Sequence, residues 1–180
     1  KLAVSSITYD IKEIYHKLFI LYYIYMSIYT LWGPATWYLF HTLAEKIKGD
    51  KFLLLKNEML MLIKNICSSL PCPDCSVHAS HLLASYRNYH MIRTKDDFKK
   101  FLFNFHNIVN GKTNKQVFSV DILNKYQNAN LAQIFQYWYA NFITKSGGIS
   151  NALLINSMGR DNVKKSVQRF LQTNSHHFNI

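Results

Sequence analysis

The chain has 180 residues, 49% hydrophobic and 15% aromatic, enough for one good core and too apolar for a disordered polypeptide. Its three cysteines exclude a disulfide-rich secreted scaffold. The formal charge of +11 invites acidic partners. However, Lys46, Lys48, Lys51, Lys56, Lys64, Lys99 and Lys100 are scattered as on solvated helix faces, and no stacking-aromatic or recognition-helix signature points to nucleic acid.

Apolar residues recur at three and four rather than at two, and glycine and proline are scarce, so an all-α fold is expected. Asp10 to Tyr29 reads as one helix, apolar almost all round in its second half, which something must cover. No formally charged residue lies between Lys17 and Glu45. The run Leu18 to Trp32 is nonetheless shorter than the roughly 20 residues a bilayer needs. Its tyrosines (Tyr22, Tyr23, Tyr25, Tyr29) suit an interface or a core. A packed helix, in a dimer or against the domain, is therefore expected, with a spanning helix as the alternative.

Gly33-Pro34 is expected to turn, with Pro34 in the first turn of a helix reaching about Lys48. Gly49-Asp50 should close that helix and cap the next, from Lys51 to about Ser69, whose stripe is Leu55, Met59, Leu62, Ile63 and Ile66. Leu70-Pro71 breaks it, and a short helix runs from near Pro73 to about Ser85. Tyr86 to Arg93 is a connection. Thr94-x-x-Asp97 resembles a capping box opening a helix with Phe98, Phe101, Leu102, Phe105 and Val109 on one face, which Gly111 should end. A short helix is expected over Phe118 to Tyr126 and another over Asn130 to Ile143. Gly147-Gly148 reads as a hinge, and the remainder, helical over Asn162 to Leu171, as an appendage.

The most informative stretch is Leu70-Pro71-Cys72-Pro73-Asp74-Cys75-Ser76-Val77-His78. A Cys-x-x-Cys pair can close a small disulfide, bind a metal or cycle between redox states. Pro73 suits the first helical position, which leaves Cys72 near the N-cap and Cys75 in the first turn. The unsatisfied N–H groups there favour thiolates, with Asp74 opposing slightly by like-charge repulsion. Zinc must be weighed, because Cys72, Cys75, His78 and His81 recur every three residues and all can ligate it. Four ligands from one continuous turn and helix can hardly surround a metal tetrahedrally. Haem attachment is disfavoured because Ser76 follows Cys75, and no βαβ pattern supports a thioredoxin-like reading. Cys67, at the end of an amphipathic helix, reads as a free buried thiol, with an alternative disulfide to Cys72, five residues on, as the minor reading.

Two polar-aromatic clusters accompany the thiols. Trp37 and His41 stand at i and i+4 on one helix face, as do His106 and Asn110 on a later helix, with Asn107 beside them. Singly, such residues are usually satisfied or solvated. Together they can furnish a flat aromatic wall and hydrogen-bonding groups for a planar, heteroatom-rich cofactor between helices.

Taken together, the segments Trp32-Gly33-Pro34-Ala35-Thr36-Trp37-Tyr38-Leu39-Phe40-His41, Leu70-Pro71-Cys72-Pro73-Asp74-Cys75-x-x-His78 and Phe105-His106-Asn107-Ile108-Val109-Asn110, with Lys115 following, resemble the Erv/ALR family of FAD-linked sulfhydryl oxidases. The wording Leu-Pro-Cys-Pro-x-Cys looks most like compact members encoded by large DNA viruses, which would place the protein in a host cytoplasm or a virion. The resemblance implies a four-helix bundle holding FAD plus a short fifth helix, usually as a homodimer. It implies that Cys72 and Cys75 are the redox pair. Trp37 and His41 would face the cofactor, with Trp32 and Gly33 as neighbours and His78 carried along with the cysteine motif. His106, Asn107, Val109 and Asn110 would contact the nucleotide, Lys115 its phosphates, and Tyr126 its adenine end. No metal is implied.

The similarity spans about Leu31 to Tyr126, which suggests an N-terminal extension (residues 1–30), an oxidase domain (31–127) and a C-terminal helical extension (128–180). The additional cysteines usual in cellular members are missing, and Pro34 replaces an arginine frequent after the first-motif glycine. The expected function is FAD-dependent oxidation of protein dithiols, with a thioredoxin-like shuttle protein as another possible substrate and oxygen reduced to hydrogen peroxide. Attack is expected at Cys72, releasing Cys75 as the thiolate that passes the electrons on. The competing classes are a zinc-stabilised binding module and a non-catalytic scaffold.

Overall fold

The computed structural model describes residue 15, residues 31–142 and residues 151–179, with backbone alone for 151–157. The expected Asp10 to Tyr29 helix and the Gly147-Gly148 hinge lie outside the described residues, apart from Tyr15, which is helical. The fold is all-α. Six α-helices are described: α1 over residues 31–46, α2 Phe52–Cys67, α3 Pro73–Ser85, α4 Lys95–Lys112, α5 Leu131–Asn141 and α6 Asn151–Asn174. Short 3-10 turns stand at Gly49–Lys51, Tyr89–Met91, Val120–Tyr126 and Ser175–His177. Among the described residues no helix is long and apolar enough to cross a bilayer.

Local chemistry sets most boundaries. At α4, Thr94 Oγ1 accepts from the Asp97 amide at 3.1 Å while an Asp97 carboxylate oxygen accepts from the Thr94 amide at 2.9 Å, a complete capping box. Asn130 caps α5 by accepting from the Gln133 amide at 3.0 Å. Proline at the first position and Cys72 at the cap start α3.

Four expectations are corrected. Helix α1 runs through Gly33-Pro34 without a turn, and the Thr36 hydroxyl donates to the Trp32 carbonyl at 2.7 Å beside the proline. Asp50 does not cap α2: its carboxylate pairs with Lys51, 3.1 Å away, and Lys51 occupies the cap position without a side-chain bond. Gly111 remains inside α4, and the left-handed residue of the following turn is Asn114, at φ 53°. Helix α6 begins well before Asn162, because Gly159 in its interior weakens a helix by only about 1 kcal/mol relative to alanine and does not break it.

The core is one cluster. Leu39, Phe40 and Leu43 of α1, the Leu55, Met59, Leu62, Ile63 and Ile66 stripe of α2, and Phe98, Leu102 and Phe105 of α4 interlock in it. Phe135 and Trp138 of α5 and Val163, Val167 and Phe170 of α6 complete it. The C-terminal helix is thus a wall of the same core. The chain end is stitched to the end of α1: Ile47 bridges Phe178, the Lys48 amide donates to the His177 carbonyl at 2.9 Å, and the Asn179 amide to the Lys46 carbonyl at 2.7 Å. Glu45 of α1 pairs with Lys99 and, at 3.6 Å, with Lys95, fixing α1 beside the start of α4.

Candidate active site

The start of α3 holds the two thiols in a defined frame. Cys72 is the N-cap residue, extended at φ −94° and ψ 113°, and its Sγ accepts from the Cys75 amide at 3.2 Å. The pair is joined as a disulfide with Cα atoms 5.2 Å apart. Ser76, next in sequence, donates its hydroxyl to the Cys67 carbonyl at 2.9 Å, tying the first turn of α3 to the end of α2. The sulfurs therefore sit where unpaired helix amides favour negative charge. Cys67 is different: it is a free, buried thiol, and burial pushes its pKa up to about 12. It is protonated at neutral pH and a poor nucleophile.

Beside the pair opens a cleft of about 900 Å³, within the range of ligand sites. Cys75, Asp74 and His78 of α3 line one side, with Trp32, Gly33, Thr36, Trp37 and Tyr38 from α1. Phe105, His106, Val109, Asn110 and Lys112 of α4 line another, and Lys115, Gln116, Phe118, Lys125 and Tyr126 come from the segment after it. Nine of the eleven residues expected at a cofactor thus share one cavity with Cys75. Cys72 does not line it, so the disulfide presents Cys75 to the cleft and Cys72 elsewhere.

His41 and Asn107 are not among the residues that line the cleft. His41 is buried behind His106, with its Nε2 3.1 Å from His106 Nδ1. Asn107 is consumed by the backbone of Phe118: its Nδ2 donates to that carbonyl and its Oδ1 accepts from that amide, both at 3.0 Å. Asn110, buried at the cleft, donates to the Gln116 carbonyl at 3.1 Å, and its own carbonyl accepts from the Lys115 amide at 2.9 Å. The two asparagines fold the chain after α4 back on itself and thereby deliver Lys115 and Phe118 to the wall.

The wall is a column of rings. Trp37 stacks on His106 with centroids 3.9 Å apart and planes 10° from parallel. His41 lies 5.3 Å from His106 and 4.9 Å from Tyr126, both stacked. Tyr126 meets Tyr38 edge-on at 5.8 Å, and the Lys125 ammonium sits 4.7 Å and 4.9 Å from the centroids of those two rings. Burial, then the charges of Lys125 and Lys115, push the His106 pKa down to about 4. Burial, then His106 and Lys125, take His41 to about 3. Burial and Tyr38 raise the Tyr126 hydroxyl. His78 is lowered by burial, then by Lys112 and His81. The rings therefore stay neutral at pH 7, and the positive charge of the cleft comes from lysine.

Thr36, Lys112, Gln116, Phe118 and Lys125 were not singled out from the sequence. Lys112 and Lys115, three apart after the His-Asn-x-Val-Asn run, carried a local signal. Lys125 carried none, since only the fold returns the Val120–Tyr126 turn to α1.

The chain is similar in sequence to known proteins. The FAD-linked sulfhydryl oxidase of African swine fever virus is 30% identical over 112 residues, 62% of this chain and 92% of the viral protein. The FAD-linked sulfhydryl oxidase ERV1 of Arabidopsis thaliana is 30% identical over 86 residues, 48% of this chain and 44% of the plant protein. No solved structure matches. The Erv1 / Alr family model matches residues 34–131, a stretch that holds the dithiol, the ring column and the lysines of the cleft, and the chain belongs to that family.

Proposed function

We propose that this protein is an FAD-dependent thiol oxidase that forms disulfide bonds in protein substrates and reduces oxygen to hydrogen peroxide. The observation that carries the reading is Cys75, half of a disulfide at a helix start, on the wall of a cleft built from flat rings and edged by lysines. The residues fit FAD: planar, neutral rings suit its heterocycles, and Lys112, Lys115 and Lys125 suit its pyrophosphate. Trp32, Gly33, Trp37, His78, His106, Val109, Asn110 and Tyr126 would complete the contacts, with His41 and Asn107 acting behind them.

A substrate thiolate attacks Cys72, the sulfur turned away from the cleft, and the Cys72–Cys75 bond breaks with Cys75 leaving as a thiolate. The helix-start amides stabilise that charge. A second substrate thiolate then attacks the substrate sulfur of the mixed disulfide, forming the substrate disulfide and releasing Cys72 as a thiolate. Held against this wall beside Cys75, FAD would supply the two-electron redox chemistry that reoxidises the pair at the expense of oxygen. The ring column orients, and the lysines neutralise.

The finer assignments are part of the same proposal. Residues 31–127 would form the oxidase unit and 128–180 a helical extension that buttresses it. The partner would be a dithiol protein or a thioredoxin-like shuttle, and the assembly a homodimer. Exposed Leu53, Leu54 and Met61 on α2 support an apolar contact between copies. The zinc-module reading is not favoured, because Cys72 and Cys75 are bonded to each other and offer no thiolate. Purified protein should be yellow, carry about one FAD per chain and consume oxygen with dithiothreitol. A colourless protein that binds no added FAD would overturn the reading.

A further inference from the structure

We propose that His41 is a positioning residue that fixes the tautomer of His106, so that His106 presents its Nε2–H to the cleft as a hydrogen-bond donor. His41 Nε2 and His106 Nδ1 are 3.1 Å apart, a distance that needs one proton between them. Both rings are held neutral near pH 7, so each carries a single proton and the placement of the shared one determines where the other goes.

Two arrangements satisfy the contact. If His106 Nδ1 carried the shared proton, His41 would carry its own on Nδ1. That atom is buried and has no hydrogen-bond partner among the described residues. An orphaned N–H in a core forfeits its only possible bond and is among the rarest defects of folded proteins. If His41 Nε2 carries the shared proton, His41 Nδ1 is a bare lone pair, the milder defect, and His106 must hold its proton on Nε2.

His106 Nε2 takes part in none of the hydrogen bonds among the described residues, and its ring lines the cleft. Trp37, stacked on one face, and Phe118, edge-on at 5.6 Å, hold the ring plane. The outcome is a donor, His106 Nε2–H, on a wall that also carries the ammonium groups of Lys115 and Lys125. Such a wall selects a ligand segment rich in acceptors, a phosphate oxygen or a heterocycle nitrogen or carbonyl, over one that offers N–H. That last step rests on the FAD reading; the tautomer does not.

The test is a long-range ¹H–¹⁵N correlation on ¹⁵N-histidine-labelled protein at pH 7.5, with FAD bound and after its removal. The expected result is that both His41 and His106 are protonated at Nε2 and bare at Nδ1. A proton on His106 Nδ1 would overturn the proposal whether or not FAD binds. Replacement His41→Leu removes the donor: His106 should then populate both tautomers and FAD affinity should fall about tenfold. His41→Gln, which keeps a donor N–H, should restore the single tautomer and most of the affinity. Equal losses in both variants with an unchanged His106 tautomer would reduce His41 to packing and refute its positioning role. Failure of the wild-type protein to bind FAD would instead overturn the oxidase reading, with the tautomer still readable.

Discussion

The Cys75 amide donates to Cys72 Sγ across the first turn of α3, at 3.2 Å. One hydrogen bond therefore links the two redox sulfur positions through the helix start itself, and Pro73 between them fixes its geometry. The same bond will favour negative charge on Cys72 once the pair is reduced.

Oxidation of dithiothreitol should fall to background in Cys72→Ser and in Cys75→Ser, with FAD retained and the melting temperature little changed. Cys67→Ser should keep most of its turnover, because the buried Cys67 thiol stays protonated at neutral pH. It should lose about 1–3 kcal/mol of stability by burying a hydroxyl. Oxygen-electrode rates and thermal melts of the variants check this, and a dead Cys67→Ser enzyme would contradict a two-cysteine mechanism.

Lys115→Ala and Lys125→Ala should each weaken FAD retention by about tenfold or more, the scale of a charge-assisted hydrogen bond. Lys46→Ala, away from the cleft with its ammonium on the Gln127 carbonyl, should not. Ultrafiltration of loaded protein at two salt concentrations gives the reading. The wild type should release more flavin at high salt, and the cleft variants should show a smaller salt response.

Acid should destabilise the fold through the histidine pair. In the folded protein His41 and His106 titrate at about 3 and about 4, against an ordinary value of 6.5 that the unfolded chain regains. Between these limits the unfolded chain binds more protons, so the contribution is fully present above pH 6.5 and drains away as pH falls toward 4. The melting temperature at pH 4.5 should lie at least about 4 °C below that at pH 7.5. His41→Leu should show a shallower decline, and a flat profile in the wild type would contradict the burial of uncharged rings.

Phe178→Ala should destabilise by about 3–5 kcal/mol, the scale of a buried phenylalanine, although it lies two residues from the chain end. Phe178 packs edge-on against Phe170 at 6.0 Å and its backbone bridges Ile47. Chemical denaturation measures the loss. A change below about 0.5 kcal/mol would mean that the C-terminal segment is only loosely attached.

Much of this protein was legible in its sequence because the relevant forces act within one helical turn. Thr94 and Asp97 announced their capping box, Pro73 and Cys72 their helix start, and the Leu55 to Ile66 stripe its buried face. The dithiol and the residues that join it at the cleft were legible as types on helical spacings. What the local pattern could not decide was which side chains reach the cavity. His41 and Asn110 both sit on motif positions, yet α1–α4 packing buries His41 behind His106, across 65 residues of chain, and leaves Asn110 at the wall. Asn107 spends its amide on the Phe118 backbone, while Lys125 arrives from a turn with no signal of its own. Periodicity and capping are short-range and are written residue by residue. Membership of the cleft depends on how separate helices dock, a property of the folded chain as a whole.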